Sequence, residues 1–194
     1  IRRAVVVTED QPATTTALIV TVMGPDRPGI VSLISDRAQR WGANWAASRL
    51  SRLAGEFAGM VHFEVPRENA DAFAAALHAL ESSSGLRFVV AKSDGTQAPA
   101  GLRGVALELV GEDRLGIVSN LTRILAESGI SIEHIHTEVS GAKPQAKQTF
   151  KIVAHLLVPN ALSTEALEQK LGALANEMMV DIALDARPAR APTA

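Results

Sequence analysis

A nine-residue segment occurs twice in this chain: Gly24-Pro25-Asp26-Arg27-Pro28-Gly29-Ile30-Val31-Ser32 and, 87 positions later, Gly111-Glu112-Asp113-Arg114-Leu115-Gly116-Ile117-Val118-Ser119. Each copy follows an apolar run of period two and leads into apolar residues at helical spacing, so one strand, turn and helix start is written twice. Self-similarity at a fixed period divides the 194 residues into two small modules rather than one larger core.

The composition allows both modules to fold. Apolar residues make up 47% and charged residues 21%, a globular rather than a disordered balance. The net charge is −2, with Lys and Arg scattered along the chain, so the footprint of a protein that binds a phosphate backbone is missing. No cysteine is present, which excludes disulfides and thiolate metal sites and fits a reducing compartment. No apolar run approaches the roughly 20 residues of a membrane-spanning helix, and the start at Ile1-Arg2-Arg3 does not read as a secretory signal. A cytoplasmic location is expected.

Residues 1–16, with Val5, Val6 and Val7, read as a leader that is disordered or adds an edge strand. The first module, 17–94, opens with Leu18, Val20 and Val22 alternating, and its opposite face is also largely apolar, which puts this strand inside a sheet. After the turn, Ile30, Ile34, Ala38 and Trp41 recur at helical spacing and Gly42 stops the helix. A strand from about Asn44 to Leu53 turns at Gly55 into another carrying Phe57, Val61, Phe63 and Val65, ended by Pro66. A helix from about Asn69 to Leu80 presents Phe73, Leu77 and Leu80, and Leu86, Phe88 and Val90 alternate as the last strand.

Residues 95–103 form a linker, and the second module, 104–185, repeats the order. It has Val105, Leu107 and Leu109 before the turn, Ile117, Leu121 and Leu125 after it, then Gly129 and a strand from Ile130. An insertion around Gly141 to Gln148 lengthens the hairpin loop by about six residues before Phe150, Ile152, Ala154, Leu156 and Val158 alternate to Pro159. The helix from Thr164 to about Ala175 is capped by Ser163, and Val180, Ile182 and Leu184 close the module. The tail, 186–194, is expected to be a disordered terminus. Two βαββαβ units follow: an α+β, ferredoxin-like arrangement, each antiparallel sheet covered by helices on one face.

The repeated turn is the place to look for chemistry. The first N–H groups of a helix lack intrahelical acceptors and carry partial positive charge, which suits a carboxylate or phosphate. Gly29 and Gly116 remove bulk there, and Pro28 fits a first helical turn. Asp26 and Asp113 have two open roles: N-caps of their own helices, or acceptors for the ammonium of an amino acid whose carboxylate meets the helix start. Arg27 and Arg114 either pair with a ligand carboxylate or with a local acid.

Other constellations carry less. His62 and His155 hold equivalent places opposite the apolar set of their strands, as duplication requires. His134 and His136 share a strand face at a spacing that two metal ligands can use, but no third ligand stands at a telling interval. No serine sits in a nucleophile elbow and neither turn has a phosphate-loop or dinucleotide spacing, so neither catalysis nor a cofactor is expected.

The βαββαβ order, the strand leading into Asp-Arg-Pro-Gly-Ile-Val and the Gly42-Ala43-Asn44 entry to the second strand resemble the ACT domain, a regulatory module that binds amino acids. Both halves carry the resemblance. It implies a ligand between two domains, held by Asp26, Arg27, Pro28, Gly29 and Ile30 facing Ser131, and by Asp113, Arg114, Gly116 and Ile117 facing Asn44. The second copy departs from the first in having Leu115 for Pro28 and Ser131 for Asn44, so the two sites need not be equivalent.

Within the family, the resemblance is to tandem-domain transcriptional regulators. It implies an amino acid of the glycine or serine class as ligand and a DNA-binding transcriptional activator protein as partner, with no direct contact to nucleic acid or membrane. Two alternatives stay open: the regulatory portion of a longer enzyme, of the phosphoserine phosphatase or formyltetrahydrofolate deformylase type, or an interaction module without a ligand that forms a homodimer through its edge strands.

Overall fold

The first strand, β1 (Thr15–Pro25), takes the centre of its sheet, with Leu18, Val20 and Val22 buried on one face and the other face partly exposed. It pairs antiparallel with β3 (Glu56–Pro66) on one side and β4 (Arg87–Ser93) on the other, and β2 (Asn44–Leu53) completes the order β2-β3-β1-β4. Helices α1 (Ile30–Arg40) and α2 (Ala70–Ser84) cover one face. The second half repeats this with β5 (Leu102–Glu112), α3 (Ile117–Glu127), β6 (Ser131–Ser140), β7 (Thr149–Pro159), α4 (Thr164–Met178) and β8 (Val180–Asp185), in the order β6-β7-β5-β8.

The computed structural model describes residues 15–93, 100–141 and 148–185, and the chain divides into two compact units, 1–97 and 98–194. Most of the leader, the first part of the linker, most of the hairpin insertion and the tail lie outside the described residues. Thr15 and Thr16 of the leader belong to β1, opposite Pro66 and Val65. The ferredoxin-like βαββαβ order expected from periodicity is the fold of both units.

Alternation in the strands and helical spacing in the helices converge on one core per unit. In the first, Leu18, Val20 and Val22 meet Val61, Phe63 and Val65 beneath Ile34, Phe73 and Leu77, all buried. The Phe63 ring packs edge-on to Trp45 and to Phe73, with centroids 5.2 Å apart in both pairs. Leu107, Leu109, Leu121, Leu125, Ile152, Leu156 and Leu171 form the second. Each large apolar side chain so buried contributes about 1.5–3 kcal/mol, which is what holds helices this short against the sheets.

Two helices overrun their expected ends. α2 follows a single 3-10 turn, Arg67–Asn69, and continues past Leu80 because Ser83 and Ser84 donate back to the Leu80 carbonyl, at 3.2 and 2.7 Å, instead of breaking the helix. α4 passes Ala175 to Met178 and stops at Met179, which takes φ 53° with no glycine to announce it. Each second strand also carries a bulge, at Trp45/Ala47 and at Ile132/His134, so residues beyond it exchange faces.

Candidate functional site

The repeated turns leave the carboxyl end of the central strand in each unit. They are fastened from outside: the Asp26 N–H donates to the Gly55 carbonyl at 2.9 Å, and the Asp113 N–H to Gln148 at 2.8 Å, so each turn is tied to the neighbouring hairpin. Gly29 and Gly116 are the N-cap residues, with φ 90° and 94°, a left-handed conformation in which a side chain is strained. Their carbonyls accept the first helical bonds, from Leu33 and Asn120, both at 2.9 Å.

Neither helix receives a side-chain cap bond. The N-cap role open to Asp26 and Asp113 is therefore not the one they take: the left-handed glycines hold that position, three residues further on. Pro28 likewise lies ahead of the N-cap, where it stiffens the turn, and not within the first helical turn. The early N–H groups of α1 and α3 are left without a capping side chain.

The side chains differ between the copies. The Asp26 carboxylate lies 2.9 Å from Arg52 Nε, which reaches it from the end of β2. Among the described residues Arg27 pairs with no acid; it donates to the Ser84 carbonyl in the last turn of α2 at 3.3 Å. In the second unit Arg114 donates to the adjacent Glu112 carboxylate at 3.2 Å. Here a cleft of about 460 Å³ opens, lined by Asp113, Arg114, Leu115, Gly116, Ile117, Val118, Ser119 and Phe150. A carboxylate, a guanidinium and an apolar wall stand together in it, the combination a zwitterion requires.

The turn residues of each copy thus form one local constellation. Asn44 and Ser131 do not join the turn of their own unit. Asn44 pairs with Glu64 at the far end of the β2–β3 hairpin, its amide 3.5 Å from that carboxylate, whereas Leu53 and Glu56 flank the turn end. Ser131 opens β6 opposite Leu157 in the same way.

Arg52, Glu112 and Phe150 were not singled out by sequence. Arg52 is one of several exposed polar residues on an edge strand, and only the hairpin register, Arg52 opposite Phe57, carries it to Asp26. The glycines two residues before each aspartate also have a structural reason. A Cβ on Gly24 would stand 2.8 Å from the Gly85 carbonyl oxygen, and one on Gly111 would stand 2.4 Å from Val180 Cγ1.

Elsewhere, the bulge in β6 brings His134 opposite His155, with ring centroids 4.8 Å apart. Among the described residues no group of three or more His, Cys, Asp or Glu is arranged to hold a metal ion, and no helix is long and apolar enough to cross a membrane. At the end of α2, Glu81 accepts the Phe88 N–H at 2.9 Å and lies 3.1 Å from His78 Nδ1 and 3.5 Å from Arg87. These bonds, the Phe88 amide first, hold its carboxyl below the ordinary range.

Comparison with known proteins places this geometry. Residues 16–91 match one family model described as ACT domain, and residues 105–176 match a second of the same description. Among solved structures, an unknown protein from Galdieria sulphuraria is 28% identical over 89% of this chain and 98% of that one, with a TM-score of 0.80. A protein provisionally assigned as a glycine cleavage system transcriptional repressor is 20% identical over 88% of this chain and 96% of that one, with a TM-score of 0.65, a likeness of fold. No curated protein sequence matches the chain.

Proposed function

Since this chain belongs to the ACT domain family, with two such domains in tandem, we propose that it is a non-enzymatic regulatory protein that binds a small amino acid at the turns after its central strands. The reading rests above all on the cleft at the second turn, where Asp113 can take an ammonium while Arg114 and the uncapped start of α3 take a carboxylate. Ser131 and Asn44 each lie at the far end of their own hairpin from the turn. Binding there shifts the protein toward the state the ligand prefers, and a partner protein reads the surface that changes.

Glycine or serine is the proposed ligand class, and a DNA-binding transcriptional activator the proposed partner, making the chain a repressor of the glycine cleavage system that acts without touching DNA. A second reading, an interaction module without a ligand, is favoured by one observation: Met23, Met60 and Val89 lie exposed on the open face of the first sheet, Met60 and Val89 both opposite Thr21.

Thermal unfolding against the twenty amino acids at millimolar concentration separates the two. A ligand at 100 times its dissociation constant stabilises by about 2.7 kcal/mol, a shift of several degrees. We expect a shift with glycine or L-serine that Asp113→Ala abolishes; a flat panel would favour the interaction module.

A further inference from the structure

The two turns share a backbone but not their charges. The bonds from Asp26 to Gly55 and from Asp113 to Gln148 match the hairpins to one another, and the registers, Arg52 opposite Phe57 and Val139 opposite Phe150, put Val139 in the place of Arg52. The guanidinium that meets Asp26 at 2.9 Å therefore has only an isopropyl group as its counterpart. Among the described residues no basic side chain is recorded against the Asp113 carboxylate.

The arginines of the turn differ for a related reason. Glu112 holds Arg114 beside the second turn at 3.2 Å, while Pro25 stands in its place in the first, and Arg27 is directed to the Ser84 carbonyl, 3.3 Å away. In the first unit the carboxylate of the turn is matched by Arg52 and the guanidinium of Arg27 is turned to a backbone carbonyl. In the second, Asp113 and Arg114, the latter held by Glu112, both line the 460 Å³ cleft.

We infer that Arg52 occupies, in the first domain, the position that a ligand's ammonium group takes in the second, so that the chain binds one amino acid tightly, at the Asp113 turn. This rests on the amino-acid-binding reading above. Arg52 competes rather than seals, since its side chain is 70% exposed and exposed ion pairs are weak. The first turn therefore binds less tightly by about tenfold, the combined effect of displacing Arg52 and of an Arg27 that is directed to the Ser84 carbonyl.

The test is titration of the full, ¹⁵N-labelled chain with glycine and, separately, with L-serine, followed at the amides of Gly29 and Ile30 in one turn and Gly116 and Ile117 in the other. In the unaltered chain the second pair should shift at a concentration about tenfold below the first. Arg52→Val should bring the two midpoints to within about threefold, and Val139→Arg should raise the midpoint of the second turn. Equal midpoints in the unaltered chain, or a first turn unmoved by Arg52→Val, overturn the inference while leaving amino-acid binding intact. A well-dispersed spectrum with no shift at either turn, for either probe, overturns both. Arg52 and Val139 are exposed, so neither change removes a core contact, and Arg52→Val decides the matter even if Val139→Arg does not fold.

Discussion

Gly111 and Val180 approach so closely that an added methyl group has nowhere to go: its carbon would lie 2.4 Å from Val180 Cγ1 and 3.1 Å from Val180 Cα. Part of that clash is with backbone, so relief requires β5 and β8 to separate. We expect Gly111→Ala to destabilise the fold by about 1–3 kcal/mol, measured by urea unfolding. Gly104→Ala, on the same strand with nothing within 4 Å of the added carbon, should change it by no more than about 0.5 kcal/mol. From sequence Gly111 is only a residue of the turn motif. Its constraint comes from a strand 69 positions further on, and no local pattern encodes that. Asp26 presents the same difficulty: cap, ligand acceptor and ion-pair partner all demand an exposed carboxylate there, and the ion pair with Arg52 depends on a hairpin register.

The helices begin in two ways. α4 starts conventionally, with the Ser163 hydroxyl accepting the Ala166 N–H at 3.2 Å, the cap that the sequence announces. α1 and α3 start from left-handed glycines with no side-chain cap, which leaves their first N–H groups without a capping partner. Periodicity located every one of these elements, but not the last turns of α2 and α4, whose ends depend on serine back-bonding and on a methionine in a left-handed conformation. The end of α2 is also fastened to β4 through Glu81. Its folded carboxyl titrates below the unfolded value of 4.5, so its contribution is complete above that value and is lost as pH falls through the folded value. Thermal unfolding followed from neutral pH to well below 4.5 should therefore show a smaller acid loss in Glu81→Gln than in the unaltered chain.

On the scale of the molecule, two buried clusters form, one in each compact unit, and they share no residue. Phe73 is fully buried in the first and Leu171 in the second. Phe73→Ala should cost about 3–5 kcal/mol and Leu171→Ala about 2–5 kcal/mol. With no buried neighbour in common, the double variant should lose the sum to within about 0.5 kcal/mol. Denaturant titration of the single and double variants checks this; a large departure would mean that the units do not unfold as separate cores. Duplication is legible in the sequence because each repeat carries its own complete apolar pattern, and such a pattern needs no partner to specify its core.

By itself the sequence determined that there are two modules, the order of strands and helices in each, and the residues that fill each core. All of these follow from information within a few residues along the chain: period, glycine and proline punctuation, and repetition. Only the tertiary structure decided that the aspartates are not caps, that one carboxylate is matched by a hairpin arginine while its counterpart faces a cleft, and that the glycines before them make room for a neighbouring strand. The reason is physical. Charge pairing and close packing depend on register across strands, and a bulge of one residue in β2 or β6 changes which side chain reaches the turn.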